Sequence, residues 1–342
     1  MDVKTLGIDL GKNVFHVIGL DGRGSIALRR RLSRTQLVVL VSNLPCCVIG
    51  MEACPGSHYM ARRLAEHGHT VRLIPPQYVR PYVKTNKNDY RDAEAIAEAV
   101  GRGTMRFVQP KTVEQLDLQA LHRVRDRLVG QRTALVNQVR AFLLEQGRPM
   151  RPGRIALRGD LRRLLAADMP GLSSSLERLL AQLAEEWRQL EERIERVTDE
   201  IEAVARTNPA CQRLMAIPGV GPISATALVA AVGNGGAFSK GRDFAAWLGL
   251  VPRQHSTGGK PRLLGVSKSG NKYLRRLLVL GSQSVLRSRI RDRQSFGPWL
   301  QRLELRVHRN VAVVALANKL ARIAWAVLAT DTPYRPRMDK AA

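Results

Sequence analysis

The periodicity between Leu176 and Val204 constrains this chain more than any other feature. Leu176, Leu180, Leu183, Trp187, Leu190, Ile194, Val197, Ile201 and Val204 alternate spacings of four and three residues without a break. Such a seam, sustained over about four heptads, belongs to a coiled-coil type helix and must be covered by another helix. The flanks are rich in Glu and Arg, as solvated faces are. One possible partner lies in the same chain. Residues 112–146 read as one long helix in which Leu121, Val124, Leu128, Leu135, Val139 and Phe142 form a stripe surrounded by Arg123, Arg125, Arg127, Arg132 and Arg140. The other partner is a second copy, which makes the protein a homo-oligomer, a dimer or a tetramer. Periodicity does not choose between them.

The N-terminal hundred residues have a different grammar. Apolar runs predict strands at 4–10, 14–20, 24–33, 46–53 and 70–75, and helices at 35–43, 57–67 and 89–102. Gly11-Lys12-Asn13 and Asp21-Gly22-Arg23-Gly24 read as tight hairpin turns. Three antiparallel strands followed by helix, strand, helix and strand is the order of a ribonuclease-H-like fold. The expected architecture is therefore an α/β N-terminal domain over 1–110, a basic helix and coiled coil over 111–205, and a mainly α domain over 206–330. The tail, 331–342, is expected to be loose.

Four carboxylates mark the N-terminal domain. Asp9 ends the run Leu6-Gly7-Ile8, and Glu52 ends the run from Cys47 to Met51. Asp89 and Asp92 share one face of a helix start, three residues apart. Each alone has a bland reading: a strand-end Glu is usually solvated, and an Asp at a helix start is usually a cap or a dipole partner. The phrase Gly7-Ile8-Asp9-Leu10-Gly11 also opens nucleotide-binding ATPases, but those need later glycine-rich phosphate loops, which are not found here. Together and in this order, the acids point to a divalent cation, Mg2+ or Mn2+, held by oxygen ligands for work on phosphodiesters. His16, His58 and His122 show no ligand-like spacing and read as structural or surface residues.

The charge balance supports that substrate. With 55 Lys+Arg against 29 Asp+Glu the net charge is +26, which implies a polyanionic partner. Aromatic residues at 5% are too sparse for a platform that stacks single-stranded bases. No CxxC or paired zinc spacing appears among Cys46, Cys47, Cys54 and Cys211, and Cys46 and Cys47 read as core thiols of a buried strand. No leader is visible and no apolar run of membrane length is seen, so the expectation is a cytoplasmic protein with no membrane partner.

In the C-terminal third, Ile217-Pro218-Gly219-Val220-Gly221 resembles a helix-hairpin-helix turn whose glycine amides approach a phosphate. A polar loop then runs from Pro252 to Asn271, followed by a helix from Lys272, and a last apolar helix is expected near 309–329. Ser256-Thr257-Gly258-Gly259 reads by itself as a flexible loop. Its neighbours Arg253, Lys260, Arg262 and Lys268 favour a second reading, a hydroxyl nucleophile among phosphate-binding cations.

Gly7-Ile8-Asp9, Met51-Glu52-Ala53, Lys87 to Ala93, Ile217 to Gly221 and the segment from Gly249 to Gly270 together make the chain resemble a DEDD transposase of the insertion-sequence one-ten family, which includes the Piv invertase. The resemblance covers most of the chain. It implies a RuvC-like N-terminal domain joined through a coiled coil to a C-terminal transposase domain with a catalytic serine, assembled from more than one subunit. It implies site-specific recombination of DNA, at target and element ends, guided by a non-coding RNA encoded in the element. The family's acids map onto Asp9, Glu52, Asp89 and Asp92, as catalytic and metal-binding residues. Its serine falls on Ser256-Thr257-Gly258. The hydroxyl directly before the glycine belongs to Thr257; Ser256 is taken as the nucleophile because serine is the family's. Arg123, Arg127, Arg253, Lys260, Arg262 and Lys268 are the expected nucleic-acid contacts. Two other classes remain: a stand-alone Holliday-junction-type endonuclease, which leaves 206–285 without a task, and a non-catalytic nucleic-acid-binding protein, which leaves the acids without one.

Overall fold

A computed structural model describes residues 2–84, 88–151, 159–160, 162–163, 171–288 and 296–336. Lys87, part of the basic loop expected at 148–154, and the end of the tail lie outside the described residues. The chain divides into two compact units, Met1–Val113 and Glu114–Ala342.

The first unit is built on a five-stranded sheet. Its strands are β1 (Thr5–Leu10), β2 (Val14–Leu20), β3 (Ile26–Ser33), β4 (Val48–Glu52) and β5 (Thr70–Ile74), in the order β3-β2-β1-β4-β5. The two short turns make β1, β2 and β3 antiparallel, while β4 and β5 run parallel to β1. One face carries α1 (Arg34–Ser42) and α2 (Ser57–Ala65), where Leu37, Val41, Met60 and Leu64 pack with Leu6, Ile8, Ile49 and Met51. A reciprocal box between Ser33 and Gln36 starts α1. A short helix α3 (Pro76–Val79), which the sequence pattern did not announce, leads toward α4 (Asp89–Val100) on the opposite face. Of the two expected core thiols only Cys47 is buried; Cys46 is exposed, because β4 begins only at Val48 and Cys46 lies in the bend that precedes it.

Close approach of α4 to the sheet depends on two glycines. A Cβ on Gly7 would stand 2.5 Å from the Ala97 nitrogen and 2.8 Å from its Cβ. One on Gly50 would stand 2.8 Å from the Cβ of Val100 and 3.0 Å from Ile96. Glycine at adjacent strand positions thus lets the helix lie directly on β1 and β4.

The second unit is helical. Its long arm pairs α5 (Val113–Glu145) with α6 (Ser174–Thr207). Leu128, Leu135, Val136, Val139 and Leu143 bury against Leu180, Ala184, Trp187, Leu190 and Ile194. Arg125 donates to Thr198 and Arg132 to Glu191, so the helices run antiparallel. The seam is therefore closed within the chain, and Arg125 and Arg132 serve that closure. Beyond Ile194, Ile201 is buried too, and Ala205 enters the core of the following helices.

That core holds α7 (Pro209–Met215), α8 (Pro222–Val232), α9 (Gly241–Trp247), α10 (Lys272–Arg287), α11 (Gly297–Arg306) and α12 (Arg309–Thr330). The apolar helix expected near 309–329 is α12, which among the described residues is the one helix long and apolar enough by length and composition to cross a membrane. Its Leu316, Ala317, Leu320, Ala321 and Ala324 are fully buried in the core of this unit, which accounts for the apolarity. The turn between α7 and α8 brings Gly219 (φ +85°) against Gly281 of α10, where a Cβ would meet the carbonyl oxygen at 2.8 Å, while a Cβ on Gly221 would meet nothing within 4 Å. The tail does not come loose at Asp331: Asp331 pairs with Arg213, and Tyr334 packs on the core.

The expected polar loop after α9 is a β-hairpin. Strands β6 (Pro252–Gln254) and β7 (Leu263–Val266) pair antiparallel, with a bridge between Thr257 and Lys260 at the tip. Gly258 (φ +57°) and Gly259 (φ +73°) occupy the two central positions of that tip, a mirror-image turn that side chains resist.

Candidate functional site

Strand geometry puts two of the candidate residues on one face of the sheet. Ile8 pairs with Met51, so Asp9 and Glu52 are the next residues of adjacent parallel strands and point to the same side. That side is the one Gly7 and Gly50 present to α4. Asp9 also pairs with His16 across the β1–β2 hairpin. The helix crosses Gly7 at Ala93 and Ala97, so its first turn, with Asp89 and Asp92, extends over the same end of β1. Asn88 caps that turn by accepting from the Tyr90 amide.

The side chains meet unequally. Single ligand atoms of Asp9, His16 and Asp89 lie within 4.8 Å of one another, and His16 Nδ1 is 3.4 Å from Asp89 Oδ2. Glu52 and Asp92 are not in that trio. Glu52 flanks it, because Cys54 feels both charges: burial first, then Glu52 and Asp9, push its thiol pKa up. Asp92 stands half-buried one turn along the face from Asp89.

The donor set suits a hard or borderline divalent cation. Ligands on opposite sides of a Mg2+-sized ion stand about 4.2 Å apart, and neighbouring ones about 3 Å. A trio whose atoms span at most 4.8 Å needs only small side-chain rotations to surround one ion. With Glu52 and Asp92 at hand, the remaining positions can be filled by carboxylates, water or phosphate.

His16 was missed in the sequence, where it read as structural. The signal was present in the hairpin. A three-residue turn at Gly11-Lys12-Asn13 fixes the register, and that register alone puts His16 opposite Asp9.

The hydroxyl site has a different build. Ser256 is exposed near the hairpin tip and accepts a 2.8 Å hydrogen bond from the Gln254 amide. Arg253, Lys260, Arg262 and Lys268 are all exposed around it, and His255 donates its backbone amide to the Arg262 carbonyl. Lys268 has φ +54°, uncommon for a residue with a side chain. On α5, Arg123 and Arg127 are exposed, the latter bonded to Gln131.

Comparison with known proteins gives the same pattern of ends. Residues 6–147 match the DEDD transposase family model of IS110, and residues 211–296 match that of the transposase IS116/IS110/IS902 family. A probable family 20 transposase of Pseudomonas aeruginosa is 48% identical over 337 residues, covering 98% of this chain and 100% of that protein. The chain belongs to the IS110/IS116 family of DEDD transposases. The transposase for insertion sequence element IS1111A of Coxiella burnetii is 45% identical over 334 residues, covering 98% and 92% of the two chains. A pilin gene-inverting protein of Moraxella bovis is 24% identical over 287 residues, covering 82% and 79%. As an insertion-sequence transposase, the protein is an enzyme of DNA strand transfer. Its match over 211–296 removes the stand-alone endonuclease reading, which gave that region no task.

The transposase has one further polar cluster that the sequence did not show. His122 on α5 is buried between Thr226 of α8 and Tyr273 of α10, at 3.0 Å from each. Thr226 donates its hydroxyl to the Pro222 carbonyl at 2.7 Å, so it accepts from His122 Nε2–H, and Nδ1 then accepts from the Tyr273 hydroxyl. Burial first, and then Arg125, hold the His122 pKa down at about 4, so the ring is neutral at neutral pH. His122 and Tyr273 border a cleft of about 180 Å3 whose wall includes Arg123 and Asn271. Periodicity marks a buried face but not a polar residue within it, which is why His122 was legible only as structural.

Proposed function

We propose that this transposase is an RNA-guided, site-specific DNA recombinase in which the acids of the N-terminal unit bind a divalent cation, Mg2+ or Mn2+, and Ser256 is the nucleophile. The strand order β3-β2-β1-β4-β5 with α4 on the acid face supports a RuvC-like reading of the N-terminal unit. In this reading Asp9 and Asp89 hold the cation and Glu52 and Asp92 complete its shell. When bound, the cation supplies charge for a phosphate and lowers the pKa of an oxygen it touches. Ser256 Oγ attacks phosphorus, an Oγ–phosphorus bond replaces one bond between phosphorus and a sugar oxygen, and the proton that the serine loses is matched by the one that the departing sugar oxygen takes up. Bond number is conserved, so a second strand's hydroxyl reverses the step without an outside energy source. Arg253, Lys260, Arg262 and Lys268 stabilise the charge that develops during transfer, and Arg123 and Arg127 bind nucleic-acid backbone.

The element's non-coding RNA supplies target choice, and copies of the chain assemble on the nucleic acids. The net charge of +26 supports a large polyanionic partner.

The observation that carries the reading is the convergence of Asp9, Asp89 and His16 at the end of β1 where α4 crosses it. The test is recombination of element ends with target DNA, with the nucleic acid that copurifies sequenced alongside. Asp9→Asn should abolish recombination with the fold retained. Ser256→Ala should abolish strand transfer and keep RNA and DNA binding. A protein–DNA adduct mapped by mass spectrometry to Ser256 is the expected intermediate; one on Thr257 would move the nucleophile by one residue. An active Ser256→Ala protein with no adduct would sink the serine mechanism.

A further inference from the structure

We propose that His16 is itself a ligand of the divalent cation, through an imidazole nitrogen, so that the site is a mixed oxygen–nitrogen set that favours Mn2+ over Mg2+. The proposal rests on the reading of the acids as a metal site, and goes beyond it by naming a ligand outside the four acids.

The geometry of His16 is that of a neighbour ligand more than of a hydrogen-bond partner. Its Nδ1 lies 3.4 Å from Asp89 Oδ2, long for a charge-assisted hydrogen bond, which runs about 2.7–2.9 Å. Adjacent ligands on one ion are about 3 Å apart and opposite ones about 4.2 Å, and the ligand atoms of the trio, all within 4.8 Å of one another, lie slightly wider than a single coordination shell.

The ring is also held in place from behind. His16 meets the Tyr90 ring edge-on, with centroids 4.7 Å apart and planes at 74°. Tyr90 is in turn covered by the Arg29 guanidinium, 4.1 Å from its centroid, and its other neighbours are Ile18, Leu20, Ala93 and Ala97. Only 13% of the His16 side chain is exposed. A ring positioned by packing on β2, β3 and α4 arrives preorganised. Both ions take oxygen ligands, but Mn2+, a first-row transition ion, accepts an imidazole nitrogen more readily than Mg2+, which demands a tight octahedron of oxygens. Among the described residues His16 is the one histidine in such a group.

The test uses the full-length protein with Mn2+ alone as the probe. Pulsed electron paramagnetic resonance of the bound Mn2+ should show nitrogen-14 modulation from a coordinated imidazole. Growth on nitrogen-15 histidine should replace that pattern, a result that requires no variant to fold. His16→Gln should lose the nitrogen signal, bind Mn2+ about tenfold more weakly and lose most of its Mn2+-over-Mg2+ preference, with Asp9 and Asp89 still binding. Wild-type protein that binds Mn2+ without nitrogen modulation, or a His16→Gln protein that keeps it, overturns the proposal and leaves the acid site standing. Wild-type protein that binds no Mn2+, with an Asp9→Asn variant that behaves identically, overturns the metal reading itself.

Discussion

Asp9 stands on the central strand of a five-stranded sheet, under a helix that touches the backbone through glycine. Ser256 stands near the tip of a two-stranded hairpin whose every residue from Pro252 to Gly265 is exposed. An isolated two-stranded hairpin has marginal stability of its own. The acids are thus fixed by the same packing that folds their unit, while the serine is carried on a part whose geometry a bound nucleic acid can set. In the proposed mechanism the cation ligands tolerate little misplacement, whereas a nucleophile carried on an exposed hairpin can be withheld until substrate completes its surroundings. Folding energy and chemistry are coupled at one site and separated at the other.

The sharpest way to break that contrast is a matched pair of substitutions. Gly7→Val should cost upwards of about 3 kcal/mol, because the new side chain meets helix backbone that cannot move without lifting α4. Gly265→Val on β7 meets nothing within 4 Å and should stay within about 0.5 kcal/mol. Urea unfolding followed by circular dichroism reads both. A Gly7→Val protein as stable as wild type would end the claim that packing fixes the acids.

The arm offers the next largest effect. Leu190 is buried in the α5–α6 seam, and Leu190→Glu should cost about 4 kcal/mol and remove helical signal on mild heating. Full helicity in this variant at the wild-type melting temperature would refute closure of the seam within the chain.

Acid sharpens the contrast from beneath the hairpin. The helix that follows β7 is α10, tied through Tyr273 to His122. His122 has a pKa of about 4 in the folded protein against an ordinary 6.5, so unfolded chains take up the proton first. Stability from this group is complete above pH 6.5, falls as the pH drops, and levels off near 4, a loss of about 3 kcal/mol. His122→Asn should flatten that part of the profile. An equal slope in variant and wild type would show the pair to be solvated.

The smallest expected effect is at the tip. Gly258→Ala introduces a side chain at φ +57° and should cost about 1 kcal/mol, too little to unfold the unit. Strand transfer should fall several-fold while the melting temperature moves by a few degrees at most. A large melting shift would mean that the hairpin supports the core after all.

What the sequence disclosed follows periodicity and turn chemistry. The five strands, α4 and the α5–α6 arm were all legible, since period two, period 3.6 and tight turns are local signals. Asp9 and Glu52 were legible because strand ends are. The partner of the seam was not, because a heptad states what must be covered and not by what. The hairpin at 252–266 was hidden by its brevity: its strands hold three and four residues and are almost wholly exposed, with no buried face to impose alternation. His122 was hidden because it acquires meaning from a residue far along the chain, Tyr273, whereas His16 is placed beside Asp9 by a local register and beside Asp89 only by the fold. The exposed Cys46 was misread because its strand begins only at Val48, and the packed Tyr334 because burial is a property of the assembled neighbours.

The arm that closes on its own chain has a kinetic meaning. An interface between copies forms at a rate set by how many copies are present, and dilution dissolves it. A seam closed in cis forms at a rate independent of abundance, so a single molecule completes its arm alone. For a protein of this kind, assembly is then an addition to a finished fold, and the number of copies that gather on a nucleic acid can be governed by that nucleic acid instead of by the need of each chain for a partner to fold.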